Sequence, residues 1–197
     1  MTSVNLLNEW FVFSLILLGI WFIVFLISRN FRKEMFLVSL FTMPFGLTEP
    51  LFVPEYWNPP SLFNLAARIG FDIESLIFSF VIGGIGAVLY NIFFKTKYKK
   101  MSRHEIIMKR HRYHLLSLFS PVIIFLFLWF FTNLNPIYSA ILSMLIGGIA
   151  AMFCRPDLKR KIFIGGILFL ALYFIFFLFF KLIYPYAIEQ FWNINVV

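Results

Sequence analysis

The sequence is short of charge and almost without cysteine. Of its 197 residues only 13% are charged, against about 25% in soluble globular domains. The single cysteine, Cys154, excludes an internal disulfide framework and any Cys-x-x-Cys metal or redox motif. Acids are the scarcer sign, nine Asp and Glu against 17 Lys and Arg. No dinucleotide fingerprint and no nucleophile–base set occurs, and no stretch of about ten residues alternates polar and apolar as a membrane β-barrel requires. What is abundant is apolar: 61% of residues are hydrophobic and 21% aromatic, with 29 Phe. That composition excludes an ordinary cytosolic domain and a disordered chain. The net charge of +8 could point to nucleic acid. In so apolar a chain it is assigned instead to basic loops held on one side of a bilayer, with membrane lipid as the partner and no nucleic acid.

A spanning helix needs about 20 mostly apolar residues. Six stretches qualify, near 10–28, 36–52, 71–94, 115–131, 136–153 and 162–183. The first has neither a basic flank before it nor a small-residue cleavage site, so it is read as a retained helix, not a secretion signal. Basic residues then cluster in alternate loops: Arg29, Arg32 and Lys33; Lys95, Lys97, Lys99, Lys100, Arg103, Lys109, Arg110 and Arg112; Arg155, Lys159, Arg160 and Lys161. Only Arg68 and Lys181 stand elsewhere. The positive-inside rule predicts a multi-pass cell-membrane protein with those loops cytoplasmic and the N-terminus outside. Expected, then, is an all-α polytopic transmembrane bundle forming one membrane domain, 1–197. Within it, 10–94 is a first three-helix unit, 95–114 a basic cytoplasmic loop, and 115–197 holds helices 4–6.

Glycine pairs at Gly83-Gly84, Gly147-Gly148 and Gly165-Gly166 are read as packing seams between helices, since no strand precedes them as a phosphate loop requires. His104, His111 and His114 lie in or beside the basic loop. His111 and His114 are one helical turn apart, but a closed metal site needs a fuller ligand set than Glu105 adds. No metal and no cofactor is expected. The segment 95–112 is assigned to topology and to contact with anionic lipid heads.

On this topology the acids gather toward the outer face: Glu49 late in the second stretch, Glu55 just beyond it, Asp72 and Glu74 opening the third, and Glu189 after the sixth. Ionisable groups in or beside hydrocarbon are costly and usually line a functional cavity. Asp72 and Glu74 equally suit a first helical turn, where acids complement the dipole, and Glu55 and Glu189 equally suit solvated loops. Glu49 is the strongest functional candidate, because it sits in an apolar run ahead of Pro50, which disturbs the local helix. Glu74, Phe78, Val81 and Ile85 recur on one helical face, from which Asp72 is expected to point away.

The chain partly repeats. Arg29–Lys33, an apolar run and Glu55-Tyr56-Trp57-Asn58 are paralleled by 155–161, an apolar run and Glu189-Gln190-Phe191-Trp192-Asn193. In the first copy an acidic helix start follows; in the second the chain stops at Val197, which reads as truncation or as a degenerate second half, with six helices here and seven in a complete chain.

These segments resemble the membrane-integral lycopene cyclases, the domains found as paired small bacterial subunits and as the cyclase half of fused fungal enzymes. Glu49 looks like the family's first acid, Trp57-Asn58-Pro59 like its Trp-x-x-Asn-Pro loop, and Asp72-Ile73-Glu74-Ser75-Leu76-Ile77-Phe78 like its Pro-x-Glu-Glu helix start, with Tyr90 as the later aromatic. The likeness spans about 33–91 and, more faintly, 155–193. Asp72 stands where the motif has proline, and Ser75 where it has the second glutamate. The resemblance implies redox-neutral cyclisation of a polyene end group, an isomerase reaction of carotenoid biosynthesis. Implied as catalytic are Glu49, Glu74 and Asp72, and as substrate-binding Tyr56, Trp57, Asn58, Phe78, Tyr90, Glu189 and Trp192. Implied partners are a long apolar polyene and a homo- or hetero-oligomer with another cyclase-like subunit. The alternative is a non-catalytic protein on the same scaffold: a lipid or carotenoid binder, a small transporter, or one subunit of a two-part cyclase.

Overall fold

In the computed structural model the described residues are 8–96 and 111–193. They are helical throughout except for loops and one isolated bridge. Five helices are long and apolar enough to cross a membrane: α1 (Glu9–Ile27), α4 (Ile73–Phe93), α5 (His114–Phe131), α6 (Pro136–Cys154) and α7 (Lys159–Ile183). A 3-10 turn over Pro156–Leu158 leads into α7. The expected span over 36–52 folds in two pieces, α2 (Arg32–Thr42) and a 3-10 helix, Met43–Leu51. Pro44 and Pro50 explain the change, since neither has an N–H to continue an α-helical ladder. Short helices α3 (Leu65–Ile69) and α8 (Ala187–Phe191), with 3-10 turns at Leu62–Asn64 and His111–Tyr113, complete the described elements. Lys97, Lys99, Lys100, Arg103, His104, Glu105, Lys109 and Arg110 lie outside them.

Two compact units emerge, Met1–Thr96 with Leu168–Val197, and Lys97–Ile167. In the first, α4 packs against both α1 and α2. Lipid tails are as apolar as the helices, so close van der Waals contact must hold such a pair together. Gly83 and Gly84 permit that contact: a Cβ on the former would strike the Thr42 side chain, and on the latter Ser39 Oγ. Polar pairs cross the same seam. Trp21 Nε1 donates to Ser39 Oγ at 2.9 Å, and Thr42 Oγ1 donates to Ser79 O at 3.0 Å. Leu17, Met35, Val81, Val88 and Phe180 are fully enclosed there. At the basic end, the Arg32 guanidinium donates to Phe25 O and Leu26 O at 2.8 and 2.7 Å, placing a cation on the last carbonyls of α1.

In the second unit α5 and α6 form a hairpin. Asn135 caps α6, its Oδ1 accepting from Ile137 N at 2.8 Å, and Pro136 takes the first helical position, where no N–H is needed. The Pro121 ring sits where a Cβ on Gly147 would go. Cys154 is buried, with its Sγ 3.9 Å from His114 Nδ1. Gly148, Gly165 and Gly166 correct the seam expectation, because each faces open space among the described residues. Small-residue spacing permits close approach but does not supply the neighbour.

A buried carboxylate cluster as candidate functional site

Two helix starts and one 3-10 helix meet at one end of the first unit. Asn8 caps α1, its Oδ1 accepting from Phe11 N at 2.6 Å. Its Nδ2 is thereby aimed outward, and donates to Glu74 Oε1 at 3.2 Å. Leu62 N donates to the same oxygen at 2.7 Å. Asp72 caps α4, its Oδ1 accepting from Ser75 N at 2.6 Å. The Asp72 N–H in turn donates to Glu49 Oε2 at 2.8 Å. Glu49 is delivered there by the 3-10 helix, whose Gly46 lies directly on the α4 backbone at Ser75 and Leu76.

All three carboxyls are enclosed: Glu49 is 5% exposed, Asp72 and Glu74 0%. Each has one oxygen held by the protein and one, Glu49 Oε1, Asp72 Oδ2 and Glu74 Oε2, buried without a hydrogen-bond partner. Buried polar atoms rarely stay unpaired, and neighbouring buried acids cannot all ionise cheaply. A proton on the Glu49 carboxyl relieves its repulsion with the Asp72 carboxylate. Glu49 and Asp72 both lie outside the five spanning helices. Burial first, and the adjacent Asp72 carboxylate second, push the Glu49 carboxyl up to about 7. Burial also raises Asp72.

This has a consequence for stability. A carboxyl with a folded pKa above its unfolded 4.5 stabilises the fold fully below pH 4.5, and that contribution is lost as pH rises through about 7. The melting temperature in detergent is therefore expected to fall between pH 5 and 8, by an amount corresponding to roughly 3 kcal/mol at most. Glu49→Gln, which mimics the protonated acid, should flatten that slope and at pH 8 match or exceed wild type. An unchanged slope in the variant would exclude Glu49 as its source.

Aromatic rings cluster in the same unit. Phe78 lies one turn beyond Glu74 on α4 and 5.5 Å from Trp10, which sits edge-on to Trp57 at 4.8 Å. Trp10 Nε1 is also buried and unpartnered. The two Trp-Asn segments noted in the sequence meet here. Trp57 and Trp192 form an antiparallel bridge, closed by Asn58 N to Phe191 O at 2.8 Å and Asn193 N to Tyr56 O at 2.9 Å, with the rings 4.8 Å apart.

The remaining candidates divide. Tyr56 is buried and lends its backbone to that bridge, while Asn58 is exposed and does the same. Tyr90 stacks on Phe94 near the far end of α4, about 24 Å from Glu74 at 1.5 Å per residue, and so does not join the cluster. Glu189 is exposed and paired with Lys181 at 2.5 Å, which holds its carboxyl below the usual range. Glu55 is exposed as well. Asp72 does not point away as the helical wheel implied: at φ −124° and ψ 165° it precedes the helix, so helical spacing does not govern its direction. Asn8, Leu62 N–H and Trp10 escaped the sequence reading. Asn8 carried a usable signal, a cap residue directly ahead of Glu9 and an apolar run. Among the described residues no set of three His, Cys, Asp or Glu side chains could hold a metal ion.

The fold and site define an all-helical protein with helices of membrane-spanning length, whose first unit encloses three carboxyl groups. Residues 135–197 match the family model described as lycopene cyclase. The matched stretch takes in α6, α7, α8 and Trp192, whereas Glu49, Asp72 and Glu74 lie outside it. No curated protein and no solved structure matches the chain.

Proposed function

We propose that this protein is a multi-pass membrane cyclase that closes the end group of lycopene or a similar linear polyene by acid initiation. The observation that carries this reading is the enclosure of Glu49, Asp72 and Glu74, each with an unpartnered oxygen, beside Trp10, Trp57 and Phe78. The match of residues 135–197 to lycopene cyclases supports the same chemistry.

The reaction needs a proton placed on a terminal double bond, a carbon–carbon bond formed as the resulting cation attacks the neighbouring alkene, and a proton removed from the adjacent carbon. Reactant and product are isomers, so no electrons are exchanged and no redox cofactor is called for. A carboxylic acid kept neutral by burial is suited to donate, and a neighbouring carboxylate to accept. Glu49 and Glu74 divide these roles between them, one as acid and the other as base, in a set with Asp72. Aromatic faces at the ring-forming end would stabilise the cation by about 0.5–2 kcal/mol each. In this reading the cluster lies toward the outer leaflet, the basic loops are cytoplasmic and the N-terminus is outside. Tyr56, Asn58 and Trp192 shape the mouth through the Trp57–Trp192 bridge.

Expression in cells that accumulate lycopene is the direct test. Cyclised pigment should appear with the wild-type chain, alone or together with a second cyclase-like subunit. The second subunit is included because Ser75 stands where the lycopene cyclase motif has its second glutamate. Unaltered linear pigment under both conditions would leave the non-catalytic binder or transporter as the better reading.

A further inference from the structure

The unit Lys97–Ile167 carries an open groove of about 530 Å³ lined by Met152, Pro156, Asp157, Lys159, Arg160 and Phe163. It lies where α6 ends and α7 begins, between two helices of membrane-spanning length. Its one acid is already neutralised: Arg155 Nε and Nη2 donate to the two Asp157 oxygens at 2.9 and 2.6 Å. Lys159 and Arg160 are exposed and have no hydrogen bond or ion pair with any described residue. Together with Lys161 they fill the first turn of a 25-residue helix, where no acid stands. That placement opposes the helix dipole, whose N-terminal end favours anions. Cations without a counter-charge among the described residues, on a positive helix end, describe a site short of an anion. The walls decide which anion. Phe163 is 64% exposed, and with Met152 it continues the groove onto the apolar surface. A soluble phosphate compound would gain nothing from such walls, whereas an acyl chain would cover them.

We infer that this groove binds an anionic glycerophospholipid, its phosphate held by Lys159 and Arg160 and one acyl chain laid along Met152 and Phe163. Occupation would supply the missing counter-charge and anchor the α6–α7 turn at the headgroup level. The inference is independent of the cyclase reading.

The full chain, purified in detergent, is titrated with short-chain phosphatidylglycerol, phosphatidylcholine and inorganic phosphate, with bound lipid counted by native mass spectrometry. Phosphatidylglycerol should bind at least about tenfold more tightly than phosphatidylcholine, and the Lys159→Gln/Arg160→Gln variant should lose about fivefold per cation at unchanged melting temperature. Lys99→Gln/Lys100→Gln, in the other basic segment, should leave this binding intact. Equal binding of the two lipids, or equal loss in both double variants, would overturn a specific site. Displacement of phosphatidylglycerol by an equal concentration of inorganic phosphate would overturn the lipid as its occupant.

Discussion

Replacing Glu74 with Gln is expected to lower ring formation by about 10²- to 10⁴-fold, the usual contribution of a positioned general acid or base. The substitution is close to isosteric. The Gln carbonyl can still accept from Asn8 Nδ2 and Leu62 N, which hold Glu74 Oε1 at 3.2 and 2.7 Å. What changes is the opposite position, Glu74 Oε2, buried and unpartnered in the wild type. An amide there can neither give a proton to a double bond nor take one from the cation. The fold should therefore survive and the chemistry should not, which separates catalytic loss from misfolding. Glu189→Gln is the matched control, because that carboxyl is exposed and engaged with Lys181; it should retain activity. Pigment analysis of cells accumulating lycopene reads both variants, with melting temperature in detergent confirming the fold. Equal cyclised product from wild type and Glu74→Gln would remove Glu74 from the mechanism.

Gly46→Ala is expected to give the largest loss of stability. A Cβ at this position would lie 2.7 Å from Ser75 O, Ser75 C and Leu76 N. These are backbone atoms inside the first turn of α4, so they cannot rotate away as a side chain would. Overpacking of a tight site costs about 1–3 kcal/mol, occasionally more, and a backbone obstacle places this case at the upper end. The 3-10 helix must shift outward, carrying Glu49 off the Asp72 N–H, so the pH slope attributed to Glu49 should weaken together with stability. Gly165→Ala is the informative comparison. Its Cβ would meet nothing within 4 Å, and within a helix Ala is better than Gly by about 1 kcal/mol. Thermal unfolding should show a large drop for the first and no drop for the second. Similar melting temperatures for both would mean that the 3-10 helix does not pack on α4 as described.

The membrane-length helices were legible because their cause is local. Twenty apolar residues in a row have few other solutions, and this holds for α1, α4, α5, α6 and α7. Pro44 and Pro50 were equally visible, yet their joint effect was not: they turn the continuation of α2 into a 3-10 helix, and that shape brings Glu49 to α4. The acids as a group were legible from scarcity, since carboxylates beside apolar runs are seldom idle. Their sorting was not. Asp72, Glu74 and Glu189 all stand next to long apolar helices in sequence, but two are fully buried and one is exposed beside Lys181. Tyr90 shows the reverse error, a motif aromatic on the right helix but too far along it.

By itself the sequence determined that this chain is built of apolar helices long enough to cross a membrane, because long apolar runs in hydrocarbon have few other arrangements. Only the tertiary structure decided which carboxyls are buried together. That outcome depends on Asn8, Leu62 and the Asp72 N–H approaching them across separate stretches of chain, and contacts between distant segments leave no periodicity to read.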